Sequence, residues 1–440
     1  MKRMEEMRCQ YWLPKKKRFC ANTPLHPSLY CGNHTTRSDV KWLPCPIDPS
    51  HTVLEQNLQA HVNKCPMLKQ AHALSLEPYY LKGINSGTND ILTSSEMKRN
   101  LVYSLTLPQF SALLSKIRAI HCCVCNDIPF SYKLPHTLDV WIKSLIDRKL
   151  PYQEKHVLQQ ASILGNLEDL DVFGSSAQVL AKEQLNENDI STVVEFGAGR
   201  GYLTQILADC YGISRVFLVE RKSYKLKADR SLRQKEDLTV ERLRIDIEDL
   251  NLNAVQSLRG MPYLAVGKHL CGPATDLTLR CCLNKNHDQD NGIEQSVCQN
   301  LRGIAVATCC HHLCQWNHYT NRRYLMELGI TKEEFHAMTW FTSWAVDADH
   351  GSNLTDDGFL QSHVPSGGSD EPRGDAKGVE DVLRNMKPSD RAALGFMCKD
   401  IIDMGRLLWV KECGLEESKL IKYVPSDISP ENRLIVAKAT

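Results

Sequence analysis

A glycine loop and three acidic side chains between residues 195 and 247 have the spacing to hold a nucleoside-type ligand. Glu195 stands just before Gly197, Ala198, Gly199 and Gly201, and residues 202–210 then run on with helical spacing. Glycine lets a backbone come close to a ligand, and a helix beginning at such a loop offers unpaired N–H groups. The pattern is G-x-G-x-G, without the third-glycine spacing of the dinucleotide fingerprint. An acid directly before the loop fits S-adenosylmethionine better than a nicotinamide dinucleotide. Glu220 closes a second apolar run at 215–220, where a carboxylate can take both hydroxyls of a ribose. Asp246 lies at the end of a third candidate strand, 243–249, placed to accept from an adenine amino group while Ile247 packs on the ring. Each acid alone could be an ordinary solvated strand-end residue. Three at successive strand ends argue for one ligand.

The elements that must position these residues alternate between strand and helix. Thr192, Val193, Val194 and Phe196 form a short buried strand ahead of the loop. Residues 262–267 make a fourth strand leading into Lys268-His-Leu-Cys-Gly-Pro-Ala-Thr-Asp276, and 302–308 a fifth leading into Cys309-Cys-His-His-Leu-Cys314. Ser389 can cap a helix reaching about Glu412, with Gly414 as its stop. Residues 419–424 and 433–438 then supply a closing antiparallel hairpin. The pattern predicts an α/β fold: a Rossmann-like, class I methyltransferase core with an antiparallel C-terminal edge hairpin.

In such a core the loop after the fourth strand borders the reacting methyl group, so its polar residues are the first candidates for catalysis. Lys268 comes first and His269 second; Lys155 is a third, because a helix ahead of the core can fold over the site. Lysine could stabilise a developing alkoxide, or act as a base if burial depressed its pKa. The plain alternatives are phosphate binding for Lys268 and a structural hydrogen bond for His269. Cys309, Cys310, His311 and His312 admit three roles: a third metal site, pocket lining or packing. Adjacent ligands chelate poorly, so pocket lining is expected, with His311 or His312 touching substrate. Cys271 and Cys309, at strand ends, could also serve as nucleophiles.

Ahead of the core lie two sets of metal-ligand residues. Cys9, Cys20, Cys31 and His34 are widely spaced apart from the tight Cys31-x-x-His34 pair, and Cys45, His51, His61 and Cys65 form a second quartet. His61 and Cys65, four apart, would share a helix face and tie it to the Cys45 loop. So small a segment could not build a core unaided, which favours two zinc fingers, although another thiophilic metal would suit the same ligands. Nine Lys/Arg against three Asp/Glu in the first 42 residues include the run Lys15-Lys-Lys-Arg18, suited to phosphate contact. The expected organisation is a CCCH-like finger at 1–42, a CHHC finger at 43–70, a helical connector at 71–150 and a methyltransferase domain at 151–440. Residues 107–120 and 138–150 should be amphipathic helices, and 121–125 (His-Cys-Cys-Val-Cys) packed thiols. Residues 284–300 read as a polar surface insertion and 351–378 as a disordered excursion.

Composition sets the remaining bounds. The 440 residues suffice for two or three domains, and 42% hydrophobic with 24% charged residues is ordinary for a soluble globular chain. A net charge of +1 excludes a uniformly basic nucleic-acid binder, so any such surface must be local. No apolar run approaches a membrane span, and no secretory signal is visible. Eighteen cysteines are better read as metal ligands and buried thiols than as a disulfide framework, which implies an intracellular protein, nuclear or cytoplasmic.

Three motifs carry a resemblance: Glu195-Phe-Gly-Ala-Gly-Arg-Gly201, Gly267-Lys-His-Leu-Cys-Gly-Pro-Ala-Thr-Asp-Leu277 and Cys309-Cys-His-His-Leu-Cys-Gln-Trp316. Together with both finger quartets, Lys155-His156, Gln159-Gln160-Ala-Ser-Ile163, Ser343-Trp344-Ala345, Cys398-Lys399 and Gly405-Arg406, the chain resembles the tRNA 2′-O-methyltransferases that modify the fourth acceptor-stem nucleotide. Arg200 stands where that pattern has a lysine. The resemblance implies S-adenosylmethionine as methyl donor, zinc in two fingers and the tRNA acceptor stem as partner. Two other readings compete: a zinc-dependent RNA-binding scaffold with an inactive methyltransferase fold, and an RNA base methyltransferase using a cysteine.

Overall fold

The structure, a computed structural model, describes residues 8–13, 18–24, 29–31, 34, 41–47, 51–88, 91–125, 128–147, 154–173, 190–222, 232–283, 300–347 and 378–439. Residues 15–17 of the basic run, 284–299 of the expected insertion and 351–377 of the expected excursion lie outside them. The chain divides into two compact units, residues 1–77 and 78–440.

The first unit carries two small hairpins. Strands β1 (Trp12–Leu13) and β2 (Arg18–Phe19) pair antiparallel, as do β3 (Trp42–Pro44) and β4 (Thr52–Leu54). A short helix, Leu58–Val62, follows the second hairpin, and a further helix spans Leu68–Ser75. Among the described residues of this unit only five are buried, and all are cysteines: Cys9, Cys20, Cys31, Cys45 and Cys65. Among the described residues there is no apolar core here to offset the entropy of ordering the chain. The Cys/His sets must supply the cross-links instead.

The second unit is built on a seven-stranded sheet. Its strands are β5 (Thr192–Phe196), β6 (Arg215–Val219), β7 (Thr239–Leu243), β8 (Tyr263–Cys271), β9 (Leu301–Cys309), β10 (Ser418–Lys422) and β11 (Arg433–Lys438). They lie in the order β10-β11-β9-β8-β5-β6-β7. β5 to β9 run parallel, β11 pairs antiparallel with β9, and β10 pairs antiparallel with β11. All five residues of β5 are buried, which for side chains alternating between faces means cover on both sides. On one face, helices Glu154–Asp169 and Tyr202–Cys210 pack with Val193, Val216, Leu264, Val266, Ala305 and Val436.

A second apolar cluster joins helices Ser95–Tyr103, Leu107–Val124, Lys332–Phe341 and Pro388–Glu412. Helices Ser95–Tyr103 and Leu107–Val124, from the expected 71–150 connector, thus pack within the larger compact unit. Thr106 and Gln109 form a capping box at the start of the Leu107–Val124 helix. Phe110, Leu113, Leu114 and Ile117 are buried on one face of this helix, but Cys122 and Cys123 are exposed; only Cys125 packs inward. The expectation of packed thiols at 121–125 thus holds for one cysteine of three, because a helix cannot turn neighbouring positions to the same side. The long helix starts at Pro388, whose missing N–H costs nothing in the first turn, and its N-cap is Lys387 rather than Ser389. Among the described residues no helix is long and apolar enough to cross a membrane.

Candidate active site and metal centres

The glycine loop connects β5 to the Tyr202–Cys210 helix. Gly197, Gly199 and Gly201 have φ of 59°, 51° and 74°, a left-handed backbone that L side chains rarely adopt. Glu220, one residue past β6, accepts from the Gly199 N–H at 3.1 Å and from the Lys222 N–H at 2.8 Å. Glu195 turns the other way. It is buried, and its Oε2 accepts from the Thr204 N–H at 3.0 Å and from the Thr204 hydroxyl. Burial pushes this carboxyl up to about 7, with Thr204 acting against the rise. Glu195 thereby braces the first turn of the helix beneath the loop.

Asp246 lies three residues beyond β7, not at the end of a strand spanning 243–249. The apolar alternation at Leu243, Ile245 and Ile247 continues because a turn buries these side chains, without strand pairing. Asp246 caps the turn Ile247–Asp249 by accepting from the Glu248 N–H at 3.2 Å, and pairs with Arg221 at 2.9 Å. The buried Asn85 donates to the Ile247 and Leu250 carbonyls at 2.7 and 2.9 Å, fixing this wall from the preceding segment. Within a loop-like sequence, Asn85 gave no signal of that role.

The β8 pairing with β9 shifts register between Gly267 and Leu270. Lys268 and His269 occupy the bulge, and His269 has φ of 65°. Gly267 has no room for a side chain, since a Cβ would lie 2.5 Å from Leu270 Cδ1. The buried Lys268 Nζ lies 3.0 Å from His269 Nε2 and 3.1 Å from His156 Nδ1. Burial pushes the Lys268 amine down to about 8, while the charge of Glu195 works against that fall. Desolvation and then the Lys268 charge lower His156. The same causes, in the same order, push His269 down to about 4, although its outer edge remains open to solvent. Lys155 is not in this group: its Nζ donates to the Asp427 carbonyl at 3.3 Å. One step along the Glu154–Asp169 helix rotates by about 100°, so His156, exposed like Lys155, is the residue whose ring reaches Lys268.

Past the bulge, Cys271 pairs in register with Cys309, and their sulfurs are 3.7 Å apart. His311 does not face substrate: it is buried, with Nε2 2.9 Å from Asp403 Oδ2. Thr308 donates to that oxygen at 2.7 Å, and Arg406 donates to Asp403 at 2.8 Å and to Asp276 at 2.5 Å. Burial alone would raise Asp403, but His311, Arg406 and Thr308 hold it well below the usual carboxylate range. This closed network pins the end of β9 to the long helix. Of the two histidines, only the half-buried His312 can meet substrate.

In the first unit the two ligand sets converge. Cys9 Sγ and Cys31 Sγ lie 3.4 and 3.3 Å from His34 Nδ1, and Cys20 Sγ lies 3.9 Å from Cys31 Sγ. Cys45 Sγ is 3.8 Å from Cys65 Sγ and 3.2 Å from His61 Nε2, with His51 Nε2 3.6 Å from Cys65 Sγ. His61 is on the Leu58–Val62 helix, whereas Cys65 follows in the turn beyond it. Each set brings its ligand atoms within 4.8 Å of one another, the arrangement that four-coordinate zinc requires.

The comparisons agree with this geometry. Residues 7–35 match the family described as CCCH zinc finger in TRM13 protein, 42–66 the U11-48K-like CHHC zinc finger, and 158–438 Methyltransferase TRM13. The rice (Oryza sativa subsp. japonica) protein named tRNA:m(4)X modification enzyme TRM13 is 52% identical over 229 residues, covering 50% of this chain and 91% of its own. The Homo sapiens homolog of that name is 31% identical over 488 residues, covering 98% and 94%. The Saccharomyces cerevisiae protein is 30% identical over 496 residues, covering 97% and 95%. With two finger regions and the greater part of the sheet domain matched, the chain belongs to the TRM13 methyltransferase family.

Proposed function

We propose that this protein methylates the ribose 2′-hydroxyl of the fourth acceptor-stem nucleotide of tRNA. The name carried by the relatives, tRNA:m(4)X modification enzyme, supports tRNA and position 4. The strand order, with its closing antiparallel hairpin, supports the Rossmann-like class I reading, in which a ligand occupies the crevice at the carboxyl ends of β5, β6 and β8. The left-handed glycine loop, the Glu220 carboxylate and the Asp246 turn with buried Ile247 are the residues that would hold S-adenosylmethionine there. When bound, it supplies the methyl group.

The observation that carries the catalytic reading is Lys268 between two imidazoles. A neutral amine has two N–H groups and one lone pair. If the N–H groups are donated to His156 Nδ1 and His269 Nε2, both rings carry their own proton on the opposite nitrogen, and the lone pair is left for the ribose hydroxyl. Lys268 then takes the 2′-oxygen's proton as that oxygen becomes a nucleophile. Burial favours the neutral amine in advance. His156 and His269 orient the amine, and Glu195 acts through Thr204 to hold the loop.

The fingers, assigned to 1–42 and 43–70, would hold zinc and grip the acceptor duplex, with 71–150 leading into the methyltransferase domain at 151–440. A-form RNA exposes its 2′-hydroxyls in a wide, shallow minor groove and is read mainly by shape and phosphate, which suits basic fingers.

The test is transfer from labelled S-adenosylmethionine to unmodified tRNA, followed by nucleoside mapping. The expected product is 2′-O-methylribose at position 4. Label on a base, or donor binding with no transfer to any tRNA, would overturn the proposal.

A further inference from the structure

We propose that Cys271, Cys309 and Cys310 form a third metal site, a three-thiolate zinc site whose fourth position stays open to an oxygen ligand. It is separate from both fingers and independent of the tRNA reading.

The site follows from how two strands end. The register shift at the Lys268–His269 bulge re-pairs β8 with β9 so that Cys271 lies opposite Cys309. Paired residues of parallel neighbours project to the same side of a sheet, so the two sulfurs meet. The Gly272 N–H donates to the Cys309 carbonyl at 3.0 Å, holding the strand ends together. Consecutive side chains on an extended strand diverge, but Cys310 has φ of 52°, which swings its sulfur back beside that of Cys309. Only three described non-glycine residues have positive φ; one of them, Cys310, belongs to this cluster and another, His269, lies two residues before Cys271. Such backbone costs on the order of 1 kcal/mol or more and persists where the surroundings over-determine it.

Spacing identifies the ligand. The three sulfurs all lie within 4.8 Å of one another. Cys271 and Cys309 are 3.7 Å apart, against 3.9 Å for Cys20–Cys31 and 3.8 Å for Cys45–Cys65 in the fingers. Zinc–sulfur bonds of about 2.3 Å in a tetrahedron place sulfurs roughly 3.8 Å apart, whereas a disulfide needs about 2.05 Å. Thiolates also select thiophilic metals over magnesium or calcium.

Openness follows from burial. Cys309 is buried, Cys310 half-buried and Cys271 exposed, and no fourth Cys, His, Asp or Glu joins the set among the described residues. Structural zinc sites close with four protein ligands, while three-ligand sites keep a position for water or substrate oxygen. Cys271 stands two residues after His269, whose Nε2 lies 3.0 Å from Lys268 Nζ.

The experiment uses the full chain purified with zinc present. Metal content by plasma mass spectrometry should give three zinc ions per chain, falling to two in Cys271→Ser or Cys310→Ser and staying at three in Cys122→Ser. In the wild-type chain, Cys271 should resist alkylation by iodoacetamide until a chelator strips the zinc, whereas Cys122 and Cys123, also exposed, react at once. The alkylation result stands even if a cysteine variant fails to fold. Two zinc ions per wild-type chain, or Cys271 alkylated as fast as Cys122, would overturn the site. An intact mass two hydrogens light with Cys271 and Cys309 joined would overturn it too, replacing the metal with a disulfide.

Discussion

Lys268 Nζ lies 3.1 Å from His156 Nδ1, although 112 residues separate them in sequence. The contact joins the bulge of β8 to the helix ahead of the core, so the proposed base is held from two elements. Lys268→Met keeps much of the volume and removes the amine. Single-turnover methyl transfer should fall about 10²- to 10⁴-fold, with donor affinity by calorimetry nearly unchanged. Lys268→Arg should not recover the rate, because a guanidinium stays charged and has no lone pair to offer.

The pH profile separates a base from a cation. With Lys268 pushed down to about 8, the neutral amine is the minor form at pH 7. As base, it makes kcat/KM climb about tenfold per pH unit below 8 and level off above it. A Lys268 acting through its positive charge would give the opposite profile, falling as pH rises through 8.

Lys155 and His156 differ by one position and should differ sharply in effect. His156→Ala removes one of the two groups that orient the amine, so the rate should fall tenfold or more and the pH midpoint should move. Lys155→Ala loses a contact to the Asp427 carbonyl at the surface and should stay within about twofold of wild type. Equal losses in both variants would point to helix damage and away from orientation of Lys268.

How much of the site can be read without coordinates depends on whether its parts are contiguous. The β5 strand, the glycine loop and the following helix form one stretch, so Gly197, Gly199 and Gly201 are legible from spacing, and so are the finger quartets. Asp246 is read as a strand-end acid but caps a turn, because Ile245 and Ile247 extend an alternating pattern past the paired residues of β7. The choice between Lys155 and His156 needs the rotation of a helix about its axis, which poor amphipathicity at its N-terminus does not reveal. The meeting of Cys271 with Cys309 depends on a bulge, and a bulge turns on the 2.5 Å that separates an imagined Gly267 Cβ from Leu270. The role of His311 is likewise set by Asp403, 92 residues away.

Glu195 links the donor loop to stability. Its folded pKa, raised from 4.5 to about 7 by burial, means the folded state keeps a proton that the unfolded chain gives up. That contribution is complete below about pH 4.5 and is lost as pH rises through 7. Glu195→Gln is neutral throughout and keeps an oxygen for the Thr204 N–H. The stability of wild type relative to this variant should therefore decline between about pH 4.5 and 7.5, by on the order of 3 kcal/mol at most. Thermal melts of both proteins across that range check it; parallel curves would remove Glu195 from the account.

The fingers provide a test of division of labour. The buried described residues of the first unit are all cysteines, so its fold rests on metal in place of an apolar core. Cys31→Ser or His61→Ala should unfold one finger locally and leave the 78–440 unit able to bind donor, since the two units are compact by themselves. tRNA affinity should fall about tenfold or more, near 1.4 kcal/mol, and its dependence on salt should flatten as phosphate contacts are lost. Donor binding by calorimetry should stay within about twofold. If donor and tRNA binding fell together, the variant would have unfolded the protein at large, and the fingers would have no separate role in gripping RNA.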